Sequence, residues 1–386
     1  MKILYITPTS IQEKSGGGIE TAKIHFSIKN IAENNRELEY RIISPDDNID
    51  YRADVVLRAD SYKDYFARVF LHSNFLYLEW AEIREFILEF YPDIIILDNS
   101  RLGFLASAIK NIDESIYIIA HFHNIELDYV QNHFPLQKSV FAGLFRFIEK
   151  ITVKRDEKLM VEHMDQAWFL TARDAERAGE LYGEMDNYRI LPVCVEDFED
   201  NLKAANEYTL NLVFLGSLWY TSNVEAIKWF LERIWKKLIN RYSDIQFIIG
   251  GSDPDQDFVS YIKSFNGVSV YPDFEDKADI IPRNSIFCSP IQEGTGMKVK
   301  VAEALAMGLR VIGSEESLVG YEEIYRDRDN DNIIIRVTEP EDYIEKINYF
   351  INHPREIAVR EKAKLLFRKY YSLARTRKFI KRMVDS

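Results

Sequence analysis

Cysteine is scarce in this chain of 386 residues, which has only Cys194 and Cys288. Neither lies in a CxxC or Cys/His spacing, so the sequence predicts no disulfide framework and no zinc site of those types. Free thiols persist most readily in a reducing compartment, and we therefore expect the protein in the cytoplasm.

Long apolar runs and excess basic charge are also missing. No window approaches the roughly 18 uninterrupted apolar residues that span a bilayer. The apolar run in residues 1–8 is too short for a signal-peptide core and stops at Pro8, so it predicts a first strand. Lys and Arg number 49 against 62 Asp and Glu, a net charge of -13. This deficit disfavours a general nucleic-acid binder, and we expect no nucleic-acid partner.

Hydrophobic residues make up 47% of the sequence, which is enough for a substantial core. The chain is longer than a domain with a single hydrophobic core usually is. Apolar segments of strand length alternate with longer helix-length segments in both halves, which is typical of buried parallel sheets. The segments are 3–6, 41–44, 94–97, 116–120, 167–170 and 189–191, then 212–216, 246–250, 268–270, 285–289 and 310–313. We predict an α/β protein with two Rossmann-like doubly wound domains, 1–200 and 201–370, and a C-terminal helix over 371–386 that packs back on the first domain.

Three glycines, Gly16, Gly17 and Gly18, follow the first predicted strand and precede a helix predicted to begin near Ile19. Glycines let backbone approach a ligand closely, and helix N-terminal amides favour phosphate or hydroxyl groups. The pattern is not GxGxxG, which disfavours a dinucleotide site. A flexible loop before an ordinary helix is the alternative interpretation.

Residues 290–308 form the densest pattern, with a predicted strand leading through Gly294, Thr295 and Gly296 into a helix. Lys300 and Glu303 are three apart and share one face of this helix near its N-terminus. A lysine there can neutralise phosphate, and a carboxylate can accept hydrogen bonds from both ribose hydroxyls. The alternative is a surface ion pair worth about 0.5 kcal/mol or less.

The stretch from Glu293 to Gly308 resembles the donor-binding signature of glycosyltransferase family 4. Looser matches are the three early glycines, residues 123–126, and residues 214–217 followed by Asn223. The resemblance implies the GT-B architecture, two Rossmann-like domains facing across a cleft, with an acceptor-side N-terminal domain and a nucleotide-sugar-binding C-terminal domain.

Residue roles follow from that resemblance. Glu303 is similar to the family's ribose-binding carboxylate, and Lys300 and Lys298 to its diphosphate contacts. The resemblance also implies that the substrate-binding residues include Gly17, Gly18, Gly216, Gly294, Thr295 and Gly296.

The sequence departs from the family pattern at two places. Glu293 stands where the first acid of a paired-glutamate motif would fall, but it lies ten residues before Glu303 and the family's more usual separation is eight. Many members also carry an Arg and a Lys just after the first strand of the second domain. Here Gly216 is followed by residues 217–223 with no cation, so charge compensation must come from Lys298, Lys300, backbone amides or elsewhere.

His121 and His123 flank Phe122 and would face the same way on an extended segment. A neutral imidazole near the acceptor can accept or relay a proton, although a histidine that caps a loop is an equally open interpretation. The resemblance favours His123. It implies catalytic roles for His123, Glu293 and Lys300.

Two acidic pairs, Asp253 with Asp255 and Asp327 with Asp329, have the spacing of a DxD metal motif. Both lie in predicted turns, where aspartate is favoured by turn geometry. We expect no metal and no other cofactor, since the nucleotide diphosphate sugar is itself the donor substrate.

Residues 138–155 carry five cations, Lys138, Arg146, Lys150, Lys154 and Arg155, against one acid, Glu149. A basic amphipathic helix of this kind can lie on an anionic membrane, in which case the protein would work at its inner face. A helix that packs its aromatic residues into the core remains the other interpretation.

The combined expectation is a retaining, metal-independent hexosyltransferase that uses a nucleotide diphosphate sugar. Its acceptor would be a saccharide, a lipid-linked molecule or a protein, in cell-surface polysaccharide or glycoconjugate synthesis. The alternative is a catalytically silent GT-B subunit that binds and stabilises a partner glycosyltransferase. A sugar-nucleotide epimerase on the same architecture is disfavoured, because the match lies in the transferase signature.

Overall fold

The protein was analysed as a computed structural model, which describes residues 1–13, 15–46, 52–133, 140–199, 201–203, 210–353 and 357–384. The chain divides into two compact units. The N-terminal unit comprises Met1–Val193 together with Leu373–Ser386, and the C-terminal unit comprises Cys194–Ser372. The chain therefore leaves the first unit seven residues before the predicted junction at 200, which itself lies outside the described residues, and returns to it at 373.

The N-terminal unit is built on a seven-stranded sheet in the order β3-β2-β1-β4-β5-β6-β7, and all its strand pairs are parallel. The strands are β1 (Lys2–Ile6), β2 (Glu39–Ser44), β3 (Val55–Val56), β4 (Ile94–Asp98), β5 (Tyr117–Phe122), β6 (Gln166–Phe169) and β7 (Tyr188–Ile190). The central strands are almost wholly buried, as expected for apolar strands covered by helices on both faces.

Among the described residues, seven α-helices precede the second unit. They are α1 (Gly16–Glu33), α2 (Ser61–Val69), α3 (Trp80–Phe90), α4 (Gly103–Ile112), α5 (Glu126–His133), α6 (Val140–His163) and α7 (Ala172–Tyr182). The prediction that the helix after β1 begins near Ile19 is wrong. Gly16, Gly17 and Gly18 form its first turn, because Ser15 caps it by accepting a hydrogen bond from the Gly18 amide at 3.2 Å.

The C-terminal unit contains a six-stranded sheet in the order β10-β9-β8-β11-β12-β13, again with parallel pairs throughout. The strands are β8 (Leu210–Leu215), β9 (Ile245–Gly251), β10 (Val268–Pro272), β11 (Ser285–Ser289), β12 (Arg310–Gly313) and β13 (Ile334–Arg336). The prediction of two doubly wound α/β domains is confirmed. The short strands β3 and β13 were not predicted, because two or three residues give no periodicity to detect.

The helices that follow are α8 (Thr221–Phe230), α9 (Lys236–Ile239), α10 (Gln256–Lys263), α11 (Val299–Ala306), α12 (Glu322–Tyr325), α13 (Pro340–Asn352) and α14 (Ile357–Tyr370). A π-helical turn over Leu231–Trp235 joins α8 to α9. In the described part of the chain, no helix is both long enough and apolar enough to cross a membrane.

The last helix, α15 (Leu373–Val384), belongs to the N-terminal unit and packs against α1. Its Ile380 is fully buried in the same apolar cluster as Ile24, Ile28 and Trp168. Phe379 adds an edge contact to Trp168, with ring centroids 5.5 Å apart. Helix α15 therefore completes one face of the first sheet.

We predict that Ile380→Ala lowers the stability of the N-terminal unit by about 2–5 kcal/mol, because it leaves a cavity in a closed apolar cluster. Hydrogen exchange measured by peptide should speed up in α1 and α15, while β8, β9 and β11 stay protected. Leu365→Ala is the control, since that side chain is 64% exposed and its loss should cost less than about 0.5 kcal/mol. Unchanged protection of α1 would contradict the assigned role of α15.

Candidate functional site

The candidate residues lie after the carboxyl ends of strands in both units. Parallel pairing brings those ends to one edge of each sheet, which is where open α/β sheets bind ligands. In the N-terminal unit the edge carries Asp98 at the end of β4 and His121 near the end of β5. In the C-terminal unit it carries Gly216 after β8 and the loop after β11 that leads to α11.

Asp98 is the centre of the N-terminal cluster and is completely buried. Its Oδ1 lies 2.7 Å from His121 Nδ1 and 2.9 Å from His123 Nε2. Its Oδ2 accepts hydrogen bonds from the Thr7 hydroxyl at 3.1 Å and the Thr21 hydroxyl at 2.5 Å. The two histidines thus face the same way, as the alternation of an extended segment predicts, and one carboxylate fixes both rings.

The protonation states in this cluster follow from burial and charge. Burial alone would raise the pKa of Asp98, but the charge of His123 and the hydrogen bonds from both histidines hold this pKa well below its usual range. Burial lowers the pKa of His121 to about 4. Burial has the largest single effect on the pKa of His123 and acts to lower it, but the charge of Asp98, the hydrogen bond to Asp98 and the charges of Glu20 and Glu126 together raise that pKa. The pair therefore consists of an Asp98 carboxylate and a cationic His123, with His121 neutral.

A buried glutamate caps the helix that follows His123. Glu157 accepts hydrogen bonds from the amides of Glu126 at 2.8 Å and Leu127 at 3.1 Å, which are the first residues of α5. Burial raises the pKa of Glu157 to about 7. The Glu126 carboxylate is held by Arg101 at 2.7 Å. These contacts fix the course of the chain just after His123.

Asp98, His121 and His123 also form a group whose ligand atoms lie within 4.8 Å of one another, close enough to be tested as a metal site. Nitrogen ligands about 2.0–2.1 Å from a tetrahedral zinc would lie roughly 3.3 Å from their neighbouring ligand atoms. The separations of 2.7 and 2.9 Å instead match ordinary hydrogen bonds. The residues present fit a hydrogen-bonded cluster better than a metal centre.

One aspartate of each candidate DxD pair caps a short helix. Asp255 Oδ1 accepts a hydrogen bond from the Asp257 amide at 2.8 Å, and Asp327 Oδ1 accepts one from the Asp329 amide at 3.1 Å. These are the turn contacts that the alternative interpretation predicts.

The early glycines bring the start of α1 close to His123. A Cβ added at Gly17 would lie 3.6 Å from His123 Nδ1, so this backbone passes directly beside the side of the imidazole that faces away from Asp98. Gly18 is required for packing, because a Cβ there would lie 2.0 Å from the Glu13 carbonyl oxygen. Both glycines thus allow neighbouring atoms to pack closely against the backbone of α1. Of the two, Gly17 lies against a candidate catalytic group and Gly18 does not.

Lys300 is the point where three segments of the C-terminal unit meet. Its Nζ donates to Asn223 Oδ1 at 2.7 Å and lies 4.6 Å from the centroid of the Phe214 ring. Asn223 in turn donates to the Ser217 carbonyl at 2.8 Å. A Cβ added at Gly216 would lie 2.7 Å from Lys300 Nζ. The end of β8, the start of α8 and the start of α11 therefore converge on one ammonium group.

The charge of Lys300 is not matched by a carboxylate. Burial and, to a smaller extent, the charge of Lys298 lower its pKa to about 7, and the charge of Glu303 opposes both effects. Among the residues that the structure describes, no acidic group forms an ion pair with Lys300. An ammonium in this state gains stability from an arriving anion, because the anion would supply the missing partner.

Glu303 pairs with Lys277 and not with Lys300. The surface pair between positions 300 and 303, which was the alternative interpretation, is therefore not formed in this structure. Lys277 was missed, because it lies 26 residues away in sequence and no local pattern connects it to Glu303. Glu293, the other predicted acid, is exposed to solvent.

Lys298 holds the loop after β11 in place. Its Nζ donates to the carbonyl oxygens of Thr295 at 3.1 Å and Gly296 at 3.0 Å, and to Glu316 Oε1 at 2.9 Å. Gly296 has a φ of 63°, a left-handed conformation that favours glycine. A Cβ at Gly294 would lie 3.2 Å from Lys298 Nζ, so that glycine also allows a close contact. The loop is thus fixed by Lys298, whereas Lys300 forms no ion pair with a carboxylate of the described residues.

Residues 209–353 match the model of the family described as glycosyl transferases group 1. The matched residues lie within the C-terminal unit. This match covers the loop after β11 and α11, and it confirms the resemblance drawn from residues 293–308 at the level of group 1 glycosyl transferases.

The chain is also similar to a curated protein and to solved structures. An uncharacterized 44.6 kDa protein in the cps region of Klebsiella pneumoniae is 21% identical over 200 residues, which is half of each protein. Anabaena HepE, solved in complex with UDP-glucose, has a TM-score of 0.65 at 11% identity and covers 100% of this chain and 99% of its own. A glycosyltransferase from Rickettsia africae has a TM-score of 0.67 at 15% identity. This match covers 99% of this chain and 97% of the Rickettsia protein. These structures confirm the GT-B fold class.

Sequence reasoning found His121, His123, Lys300 and Glu303 but missed Asp98, on which the histidine cluster depends. One signal was available, because Asp98 is a charged residue that directly ends the apolar run of β4. A carboxylate in that position lies at the binding edge of the sheet, where polar residues commonly contact ligands.

We predict that Asp98→Asn lowers the pKa of His123, because the amide removes the negative charge that raises it. The stabilising contribution of this pair is fully present below the unfolded-state pKa of about 6.5 and is lost as the pH rises through the higher folded-state value. NMR titration of histidine ring carbons should show the shift. Asp329→Asn, an exposed position, is the control. A His123 titration that is identical in the parent and Asp98→Asn, with matching circular dichroism, would contradict the assignment.

Proposed function

We propose that this protein is a glycosyltransferase that moves a hexosyl group from a nucleotide diphosphate sugar to an acceptor with retention of anomeric configuration. The acceptor is a saccharide, a lipid-linked molecule or a protein, in cell-surface polysaccharide or glycoconjugate synthesis. The proposal places the protein in the cytoplasm, in peripheral contact with the inner face of an anionic membrane. The observation that carries the proposal is the half-buried ammonium of Lys300, which has no carboxylate partner among the described residues, at the carboxyl edge of the second sheet.

The donor diphosphate is the ligand that this ammonium suits best. Lys300 supplies a positive charge, and the amides at the start of α11 supply further hydrogen-bond donors for phosphate oxygens. Residues 217–223 offer no cation, but Lys300 Nζ lies against Gly216 at the start of that segment. One lysine from α11 therefore brings positive charge to the place where many family members have an Arg-Lys pair.

Glu303 is proposed to bind the ribose. An ionised carboxylate has two oxygens and about four acceptor sites, so its pairing with Lys277 leaves capacity for two hydroxyl donors. Gly294, Thr295 and Gly296, fixed by Lys298, form the loop proposed to lie under the phosphates and the transferred sugar. HepE was solved both with UDP-glucose and with UDP, which supports a nucleotide sugar as the class of donor for this fold.

Catalysis would come from groups that act more strongly in the transition state than in the ground state. Negative charge grows on the departing diphosphate, and a fixed ammonium such as Lys300 stabilises it without reorganisation. In the N-terminal unit, the cationic imidazole of His123 is oriented by Asp98 and can donate a hydrogen bond or a proton to a substrate oxygen. A role for Glu293 stays a prediction, and its exposure makes it free to contact a ligand.

A panel of UDP-, GDP-, ADP-, dTDP- and CMP-sugars tests the function directly. A donor that binds only the native state raises the unfolding temperature, and we expect one nucleotide family to do so. NMR of the product formed from that donor then reports the anomeric configuration, which should match the donor. Stabilisation without hydrolysis or transfer would favour the silent subunit instead, and no stabilisation by any donor would contradict the proposal.

We predict different kinetic effects for substitutions at Glu303 and Lys300. Glu303→Ala removes charge-assisted hydrogen bonds worth about 1.5–3 kcal/mol each, so donor affinity should fall at least about tenfold. Lys300→Ala should lower kcat beyond any loss of binding, because its charge matters most as the diphosphate departs. Calorimetry in buffers of different ionisation enthalpy should also show proton uptake on donor binding near pH 7–8 in the parent, since the pKa of Lys300 is about 7, and none in Lys300→Ala.

Two exposed positions in the same unit provide the controls, Glu225→Ala and Lys263→Ala. Both should retain parental kinetics. If Glu303→Ala and Lys300→Ala also behave like the parent, with unchanged circular dichroism, the assignment of the donor site is wrong.

Transfer is expected to persist in excess EDTA, because the proposed site neutralises phosphate with a lysine and helix amides. The assay compares initial rates with and without the chelator, followed by added magnesium or manganese. Complete loss of activity that either metal restores would show that the proposed charge compensation is insufficient.

A further inference from the structure

Helix α2 exposes its apolar residues to solvent. Tyr62, Tyr65, Phe66 and Val69 recur at the three- and four-residue spacing of a single helix face, and Phe70 and Leu71 follow directly. All six side chains are at least 52% exposed. A surface helix ordinarily turns such a face toward the core. A contiguous apolar surface of this kind marks an interaction site more often than isolated exposed residues do.

Helix α6 exposes a second stripe of unusual composition. Residues at positions 147, 150, 151, 154, 155 and 158 share one helix face by their spacing. They are Phe147, Lys150, Ile151, Lys154, Arg155 and Lys158, all of them exposed. The neighbouring acids, Glu149, Asp156 and Glu157, are buried. From Phe147 to Lys158 the outward face therefore consists of apolar and cationic side chains, and the exposed acid Glu162 follows one turn later, where it pairs with Lys158.

The exposure of this stripe distinguishes the two interpretations of residues 138–155, a helix on a membrane surface and a helix that packs its aromatic residues into the core. Phe147 is 61% exposed and Ile151 is 45% exposed, so these apolar residues do not pack into the core. Lys138 lies outside the described residues. Arg146 is half-buried, and its guanidinium donates to the Gln131 carbonyl. The cationic face is therefore carried by the later part of the helix.

The two exposed surfaces are joined. Arg155 Nη1 donates to the Leu71 carbonyl oxygen at 2.9 Å, which places the end of the α2 segment against the α6 stripe. Arg68 of α2 forms an ion pair with Glu149 of α6, and its guanidinium lies 5.4 Å from the Phe145 ring centroid. Helices α2 and α6 thus present one continuous surface, aromatic on one side and cationic on the other.

We propose that this α2–α6 surface docks on an anionic lipid bilayer. Tyrosine and phenylalanine suit the boundary between headgroups and acyl chains, and lysines beside them suit anionic headgroups. The chain as a whole has a net charge of -13 and would be repelled by such a membrane. A local surface on which cations outnumber exposed acids overcomes that repulsion. This inference rests on the membrane contact in the proposed function, and it does not depend on the transfer reaction.

The test is sedimentation of the full chain with vesicles of phosphatidylcholine containing about one third phosphatidylglycerol, at low salt. One variant carries Lys150→Gln, Lys154→Gln and Lys158→Gln, and leaves Arg155 to hold Leu71. Each cation near an anionic surface changes partitioning about fivefold, so this variant should bind about 100-fold more weakly. A second variant, Phe66→Ser with Phe70→Ser and Phe147→Ser, should also lose binding, and the loss should persist at low salt.

The matched control removes three exposed lysines from the other unit, Lys228→Gln, Lys236→Gln and Lys237→Gln. It changes the net charge by the same amount as the first variant, and it should bind vesicles almost as strongly as the parent protein. Three outcomes would overturn the proposal: no binding by the parent, equal loss in the control, or a parent dimer that the serine variant dissociates without any vesicle binding. Thermal shift with the donor, measured on every variant, separates a failure of docking from a failure of the proposed function.

Discussion

Parallel pairing of the strands is the constraint on which the positions of the candidate residues depend. In the described part of the chain every paired strand runs parallel to its neighbours, so all strand carboxyl ends of one sheet lie at one edge. Asp98 and His121 reach this edge from neighbouring strands that are paired residue by residue. Gly216 and the loop before α11 reach the corresponding edge of the second sheet for the same reason. Polar groups distant in sequence thus meet without any local motif to bring them together.

The two lysines at the start of α11 show how position decides the use of a charge. Lys298 is surrounded by two loop carbonyls and the Glu316 carboxylate, so its charge is satisfied within the protein. Lys300 has an amide oxygen and an aromatic face as its neighbours. These neutral partners orient the ammonium but offset little of its desolvation, and its pKa therefore falls to about 7. The two lysines are only two residues apart, yet Lys298 anchors the loop and Lys300 is suited to bind an external anion.

Much of the fold could be predicted from the sequence, because continuous apolar strands such as β4, bounded by helix-length segments, are characteristic of a buried parallel sheet. The candidate site residues in α11 were also accessible, since they lie within one local pattern. Their partner residues, and those of His123, could not be predicted from the sequence. Asp98 acts on His123 across 25 residues, and Lys277 reaches Glu303 across 26. Single-sequence patterns report spacing along a helix or strand, whereas these contacts depend on how separate elements pack.

The return of α15 to the first unit has a consequence for biosynthesis. A ribosome releases the chain from its N-terminus, so the strands of the first sheet emerge early, while Ile380 and Phe379 emerge after the whole second unit. Until then the apolar surface around Trp168, Ile24 and Ile28 has no cover from α15. The unit that is synthesised first is thus completed last. The second unit can close its own core while the first still exposes part of its interior, and during that interval the nascent chain is most open to chaperones and to aggregation.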